Sequence, residues 1–218
     1  MSTAKQREIQ SVESYLAQFG QSGIRLEFIN GDVRSMTAPT IRHNIIATNV
    51  LVTLGMKLKG SKCREFNSNS LVRIRHETGT WLYFPDVSVV CESNSQSEIF
   101  QDQPTLVAEV LSPSTRSIDL DEKVEKYLSI AALEAYLVLE QDKPYAILYQ
   151  RTPDGFRRES IDGIGRSIRL PLINITLSIA DIYEGVQFPP PIVHEPEAAY
   201  FSQKAIISDQ TPSSPDSR

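Results

Sequence analysis

Two short apolar runs decide the reading of this sequence: Pro85-Asp86-Val87-Ser88-Val89-Val90-Cys91 and Leu106-Val107-Ala108-Glu109-Val110-Leu111. Each has the length and β-branched content of a buried strand, and each carries one carboxylate. A carboxylate in such a run loses its hydration and needs a cation or hydrogen-bond donors in return. A divalent metal shared by Asp86 and Glu109 would satisfy that need. The second run ends in the turn Ser112-Pro113-Ser114 and leads to a helical stretch in which Lys123 lies beside the stripe Leu120, Val124, Tyr127, Leu128 and Ala131. At about 100° per residue this puts Lys123 at the rim of a site, with Lys126 turned away.

Working outward, residues 7–19 place Ile9, Val12, Leu16 and Phe19 at helical spacing before Gly20 and Gly23 break the pattern. Residues 24–36 hold Asn30-Gly31 between two strand-like arms, the pattern of a β-hairpin. Residues 44–59 form a core helix with Ile45, Ile46, Val50, Leu51, Leu54 and Leu58 on one stripe, ending at Gly60. Strands are predicted over 63–66, 71–75, 81–91 and 105–111, with an exposed polar connection over 92–103. Ser117 is placed to cap the Lys123 helix, and Asp119, Asp121 and Glu122 suit the positive end of its dipole. Further strands fall at 135–139, 145–150 and 156–161, and a last apolar segment at 168–186.

The fold class is therefore α/β, a mixed β-sheet flanked by helices with an N-terminal hairpin. The expected domains are an N-terminal helical extension (1–23), a main domain (24–188) and a Pro/Ser-rich tail (189–218), disordered or partner-dependent from about residue 200. The 218 residues, 40% hydrophobic and 22% charged, suffice for one core. No apolar run approaches a membrane span, and the polar N-terminus is unlike a signal peptide. Cys63 and Cys91, read as two separate thiols without zinc-ligand spacing, agree with a cytoplasmic location. A net charge of −5 argues against a dedicated nucleic-acid binder but not against an enzyme with a local patch. Carboxylates gathered for a metal themselves make the formal charge negative.

The order helix, three strands with acids on the second and third, helix, strand resembles the core of the restriction-endonuclease-like PD-(D/E)XK superfamily. More closely, the sequence resembles its Uma-type endonuclease family. The resemblance rests on Glu27-Phe28-Ile29-Asn30-Gly31, Pro39 with His43, Pro85-Asp86-Val87, Glu109-Val110-Leu111-Ser112-Pro113-Ser114, Asp119-x3-Lys123-x3-Tyr127 and Ala135-Tyr136-Leu137-Val138. It implies a restriction-endonuclease-like fold and Mg2+-dependent hydrolysis of DNA, with Mn2+ as a substitute, and is compatible with a homodimer that makes two strand cuts. It further implies that Asp86, Glu109 and the Val110 carbonyl ligate metal, that Lys123 orients or helps deprotonate the attacking water, and that Glu27 or His43 completes the site. Such hydrolysis needs an activated water and relief of charge on the phosphate and leaving oxygen, which hard cations on carboxylates supply. The chain departs from the superfamily pattern at Leu111, where the motif has lysine; Lys123 fits the transferred position.

Each residue also has a plainer reading. Pro-Asp is a turn signal, Glu109 fits an exposed sheet face or a pair with Arg73, and Lys123 a snorkelling surface residue. His43 fits a helix start and Glu27 a solvated strand position. Lys57, Lys59, Lys62 and Arg64 suit the end of a helix dipole. The competing function is a catalytically inactive nuclease-like scaffold that binds nucleic acid or protein. No Gly-x-Ser-x-Gly elbow and no phosphate-binding Gly-x4-Gly-Lys-Ser/Thr loop is present, which disfavours a serine hydrolase or a nucleotidase.

Overall fold

A computed structural model describes residues 11–22 and 25–190, and side chains outside 18–22. The chain divides into two units, Met1–Phe188 and Pro189–Arg218. The expectation for the tail beyond residue 200 and the placement of Ile9 lie outside the described residues.

Helix α1 (Val12–Ser22) runs through Gly20, past the stop expected there, and buries Tyr15 against Phe28. Strands β1 (Leu26–Ile29) and β2 (Asp32–Ser35) form the expected hairpin. Its turn places Asn30 and Gly31 at φ 49° and 103°, a left-handed pair that Asn-Gly adopts at low cost. Helix α2 (Ile41–Leu58) starts three residues before the expected start at 44, because Thr40 accepts the His43 N–H and caps it.

Strands β3 (Arg64–Asn67) and β4 (Leu71–His76) follow as expected. The single strand expected over 81–91 is instead two: β5 (Gly79–Tyr83) and β6 (Val87–Val90), which belong to different sheets. Pro85 cannot donate to a ladder, so pairing stops there and the chain crosses between sheets, with Asp86 just past the crossing. The 92–103 connection is not wholly exposed either. It contains β7 (Phe100–Gln101), parallel to β4, with both residues buried.

Strand β8 (Pro104–Val110) pairs antiparallel with β6 and parallel with β9 (Ala135–Leu139). Between β8 and β9 lie α3 (Arg116–Leu120) and α4 (Glu122–Leu128), where one helix was expected. The break is at Asp121, whose backbone leaves the helical region, and Ser117 lies inside α3 and does not cap it. Strands β10 (Tyr145–Thr152) and β11 (Gly155–Asp162) complete one sheet, ordered β11-β10-β9-β8-β6-β3. The other is ordered β2-β1-β5-β4-β7, and a small ribbon joins β12 (Ser167–Leu170) to β13 (Ile175–Ser178) ahead of α5 (Ile179–Ile182).

Alternation along β8 sends Leu106, Ala108 and Val110 into a core with α2, α5 and the ribbon. Val107 and Leu111 face a second core built from Tyr83, Tyr127 and Tyr136. Glu109 lies between these two, so its carboxylate is aimed into the aromatic core and not at an exposed sheet face. No helix among the described residues is long and apolar enough to cross a membrane.

Cys63 and Cys91 are not separate thiols. The register Arg64↔Val90, extended by one pair, sets them opposite each other, and they form a disulfide with Cα atoms 3.8 Å apart. The cysteines thus no longer argue for a reducing compartment. Before reduction the denatured protein should titrate no thiols and afterwards both, and reduction should cost about 3.5 kcal/mol in a urea melt for a loop of this length. Thiols that titrate without reductant refute the pairing.

Arg73 pairs not with Glu109 but with Asp102, through two 2.7 Å hydrogen bonds that fasten the β7 segment to β4. Burial pushes the Asp102 carboxyl up, but Arg73 and the Asn94 amide outweigh it and hold it below the usual range. A depressed folded value means that this latch adds stability above the unfolded value of about 4 and loses it as pH falls through the folded value. Arg73→Gln should remove that part of the acid sensitivity, measured as urea midpoint between pH 5 and 3. An unchanged pH slope sinks the assignment.

Candidate active site

The seam between the sheets gathers the residues singled out in the sequence. Val87↔Ala108 is the last β6–β8 pair before the seam, and the next pair is Asp86 opposite Glu109. Here the ladder continues through side chains. The Val110 N–H donates to Asp86 Oδ2 at 2.8 Å, and the Asp86 N–H donates to Glu109 Oε2 at 3.3 Å. The two carboxylates are thereby fixed beside one another by backbone that would otherwise be unpaired.

Lys123 is not at a rim. It is 4% exposed, with Nζ 2.8 Å from Glu109 Oε1, 3.3 Å from Glu27 Oε1 and 3.2 Å from Asp119 Oδ1. A lysine thus reaches Glu109 from α4, while Leu111 packs in the aromatic core. Tyr127 O–H also donates to Glu109 Oε1, at 3.2 Å. Burial alone would push the Lys123 ammonium down, but Glu109, Glu27 and Asp119 hold it well above its ordinary value. Burial pushes the Glu109 carboxyl well up; Lys123 opposes this, while the Asp119 and Asp86 charges add to it.

Glu27 comes from β1 and is buried, so its reading as a solvated strand residue fails. It accepts from Arg34 at 2.9 Å, and Arg34 also bridges to Glu122, which takes the Tyr83 O–H at 2.8 Å. His43 both starts α2 and reaches the seam, with Nε2 3.1 Å from Asp86 Oδ2. Burial lowers the tendency of its ring to hold a proton, but the Asp86 hydrogen bond and charge, with the Val110 carbonyl, raise its pKa above the ordinary value.

Asp119 was read as a first-turn acid suited to the helix dipole. It is 2% exposed, one turn before Lys123 on the same face, and its Asp119-x3-Lys123 spacing was the signal for that contact. Arg34, Glu122 and Tyr83 carried no such signal, since they meet the site only through the hairpin and the first sheet.

Within 4.0 Å, the carboxylates of Glu27, Asp86, Glu109, Asp119 and Glu122 share two permanent cations, Arg34 and Lys123, and one histidine, with the Arg25 charge farther off. This surplus of negative charge suits a divalent cation at Asp86 and Glu109, with the Val110 carbonyl adjoining. Among the described residues no cluster of three or more His, Cys, Asp or Glu is disposed to hold a metal ion alone. Two carboxylates suffice for Mg2+, which keeps waters and takes substrate phosphate as further ligands.

Residues 12–180 match the family model described as "Uma2: Putative restriction endonuclease". The chain belongs to the Uma2 family. Relatives of this Uma2 chain include two from Synechocystis sp. (strain ATCC 27184 / PCC 6803 / Kazusa). "Uncharacterized protein slr1290" is 32% identical over 82% of this chain and 93% of its own length. "Uncharacterized protein sll1609" is 27% identical over 67% and 84%. A crystal structure described as a putative nuclease belonging to DUF820 from Anabaena variabilis ATCC 29413 superposes with a TM-score of 0.66. It covers 82% of this chain and 99% of that one at 18% identity, which shows a shared fold.

The Uma2 site makes one energetic prediction. Lys123→Met strands buried Glu109 and Asp119, leaves Glu27 to Arg34 alone, and should cost about 3–5 kcal/mol of stability in a urea melt. Adding Glu109→Gln to that variant should recover part of the loss. Strictly additive losses would show that the two side chains do not interact.

Proposed function

We propose that this Uma2 chain is a Mg2+-dependent endonuclease that hydrolyses DNA phosphodiester bonds, with Mn2+ able to substitute. The observation that carries the reading is the joined pair Asp86–Glu109 at the sheet seam, backed by a buried lysine. Asp86, Glu109 and the Val110 carbonyl would hold the cation. When bound it would acidify a water and draw charge from the phosphate and leaving oxygen.

The chain's own residues prepare that arrangement. Lys123 and Tyr127 fix Glu109 Oε1 and leave Oε2 toward Asp86. His43 and the Val110 N–H fix Asp86 Oδ2. Glu27 and Asp119 hold Lys123 in place, so Lys123 acts first as a positioning residue; to meet water or phosphate it must give up one of its three carboxylates. Two strand cuts in a duplex are met by a homodimer carrying one site per copy.

The engagement of Lys123 by three carboxylates also favours a second reading, a scaffold that binds nucleic acid without cutting it. Supercoiled and linear DNA incubated with the protein and Mg2+ or Mn2+ separates the two. The intact protein should nick and then linearise the circle, and folded Glu109→Gln should lose at least about 100-fold of that rate. Mn2+ binding, followed by electron paramagnetic resonance, should weaken in the same variant. Binding of DNA with no cleavage in either metal favours the scaffold and refutes the endonuclease reading.

A further inference from the structure

Among the positively charged side chains packed at the two sheets near the seam, Arg25 is set apart by what it lacks. Arg34, His43, Lys123, Arg116 and Arg73 each meet a carboxylate within 4.0 Å. Arg25 meets none among the described residues. Its Nη2 donates to the Ser68 carbonyl, and its Nε is buried with no hydrogen-bond partner. A guanidinium offers five N–H donors in one plane, so most of its donor capacity is unspent.

The Arg25 carbonyl accepts the Met36 N–H at 3.2 Å, which continues the β1–β2 hairpin by one pair. Strand alternation then puts Arg25 on the side of Glu27, roughly 7 Å along. The guanidinium lies 4.9 Å from the centre of the Phe84 ring, two residues before Asp86. Ser68 follows Asn67, which pairs with Val87, the residue after Asp86. The two segments that hold the guanidinium, Phe84 and the Ser68 turn, therefore both adjoin Asp86.

We propose that Arg25 is the phosphate-binding cation of this site, donating to a non-bridging oxygen of the substrate backbone next to Asp86. The assignment rests on the endonuclease reading and adds to it the residue that seats the phosphodiester. Planar paired donors suit phosphate oxygens better than an ammonium does. Burial lowers the pKa of the guanidinium, and the nearby Asp86 and Glu27 charges partly offset this. The plainer role, a strut from the hairpin to the Ser68 turn, uses one donor and the ring face and leaves the second guanidinium arm without a carboxylate partner.

The test is binding of a fluorescein-labelled DNA duplex, read by anisotropy across NaCl concentrations with Ca2+ in place of Mg2+. Cleavage in Mg2+, Mn2+ binding and thermal stability are measured beside it for the intact protein, Arg25→Gln and Arg25→Lys. Arg25→Gln should bind Mn2+ normally, bind DNA about 10-fold or more weakly, and lower the salt slope by about 0.9. Arg25→Lys should keep the slope and recover part of the affinity. Should Arg25→Gln fail to fold, Arg25→Lys decides alone: weaker binding at unchanged slope supports the assignment, and binding and cleavage equal to the intact protein overturn it. If the intact protein cuts DNA and Arg25→Gln matches it in affinity, slope and rate, Arg25 is a strut and the endonuclease reading survives. If the intact protein binds Mn2+ but neither binds nor cuts DNA, that reading falls and takes the assignment with it.

Discussion

The ammonium of Lys123 sits inside the protein against Glu27, Glu109 and Asp119, and much else in the fold depends on that contact. A lone buried carboxylate would protonate or draw in water. Three carboxylates around one cation come from β1, β8 and α3, so a single α4 side chain ties together the hairpin sheet, the larger sheet and the helical insertion between β8 and β9. Such clusters are weak sources of net stability but strong constraints on geometry, because any arrangement that separates the partners leaves charge unpaired in a low-dielectric interior. The aromatic core around Tyr83, Tyr127 and Tyr136 supplies that low dielectric and contributes hydroxyls to it: Tyr127 donates to Glu109, and Tyr136 donates to the Asp119 carbonyl at 2.9 Å.

Legibility in the sequence followed the range of the interactions. The hairpin at Asn30-Gly31, the α2 stripe and the strand β9 are local patterns, and each was readable from turn chemistry or periodicity. Asp86 and Glu109 were readable because a carboxylate in an apolar run is a contradiction that only tertiary structure resolves. The break of β5 from β6 was hidden, since 81–91 is apolar on both sides of Pro85 and nothing local says that the two halves join different sheets. The Cys63–Cys91 bond depends on the β3–β6 register, and burial of Asp119 depends on where Lys123 points. The first is a pairing across 28 residues that composition does not carry; the Asp119-x3-Lys123 spacing signalled that contact but not its burial.

The position of the seam explains why the site has no compact motif. Its first sheet contributes Glu27 and Arg34 from the hairpin and Tyr83 from β5; its second contributes Glu109 from β8; Asp86 stands at the start of β6 just past the crossing between them; α2, α3 and α4 contribute His43, Asp119 and Lys123. Pro85 is the point on which this convergence turns. By ending the pairing of β5 it lets the chain leave one sheet, and Asp86, the first residue past it, is delivered opposite Glu109 at the edge of the β6–β8 ladder.

At that edge the ordinary ladder would leave the Val110 and Asp86 N–H groups without strand partners. Each instead donates to the other strand's carboxylate, so the same two hydrogen bonds that finish the sheet also aim both acids. The consequence is that the carboxylates are held in place without any ligand: turning either one away would leave a backbone donor unsatisfied as well as separate a charge from its partner, His43 for Asp86 and Lys123 for Glu109. The pair's alignment is thus a property of sheet termination, and the chemistry proposed for it draws on a geometry that folding has already imposed.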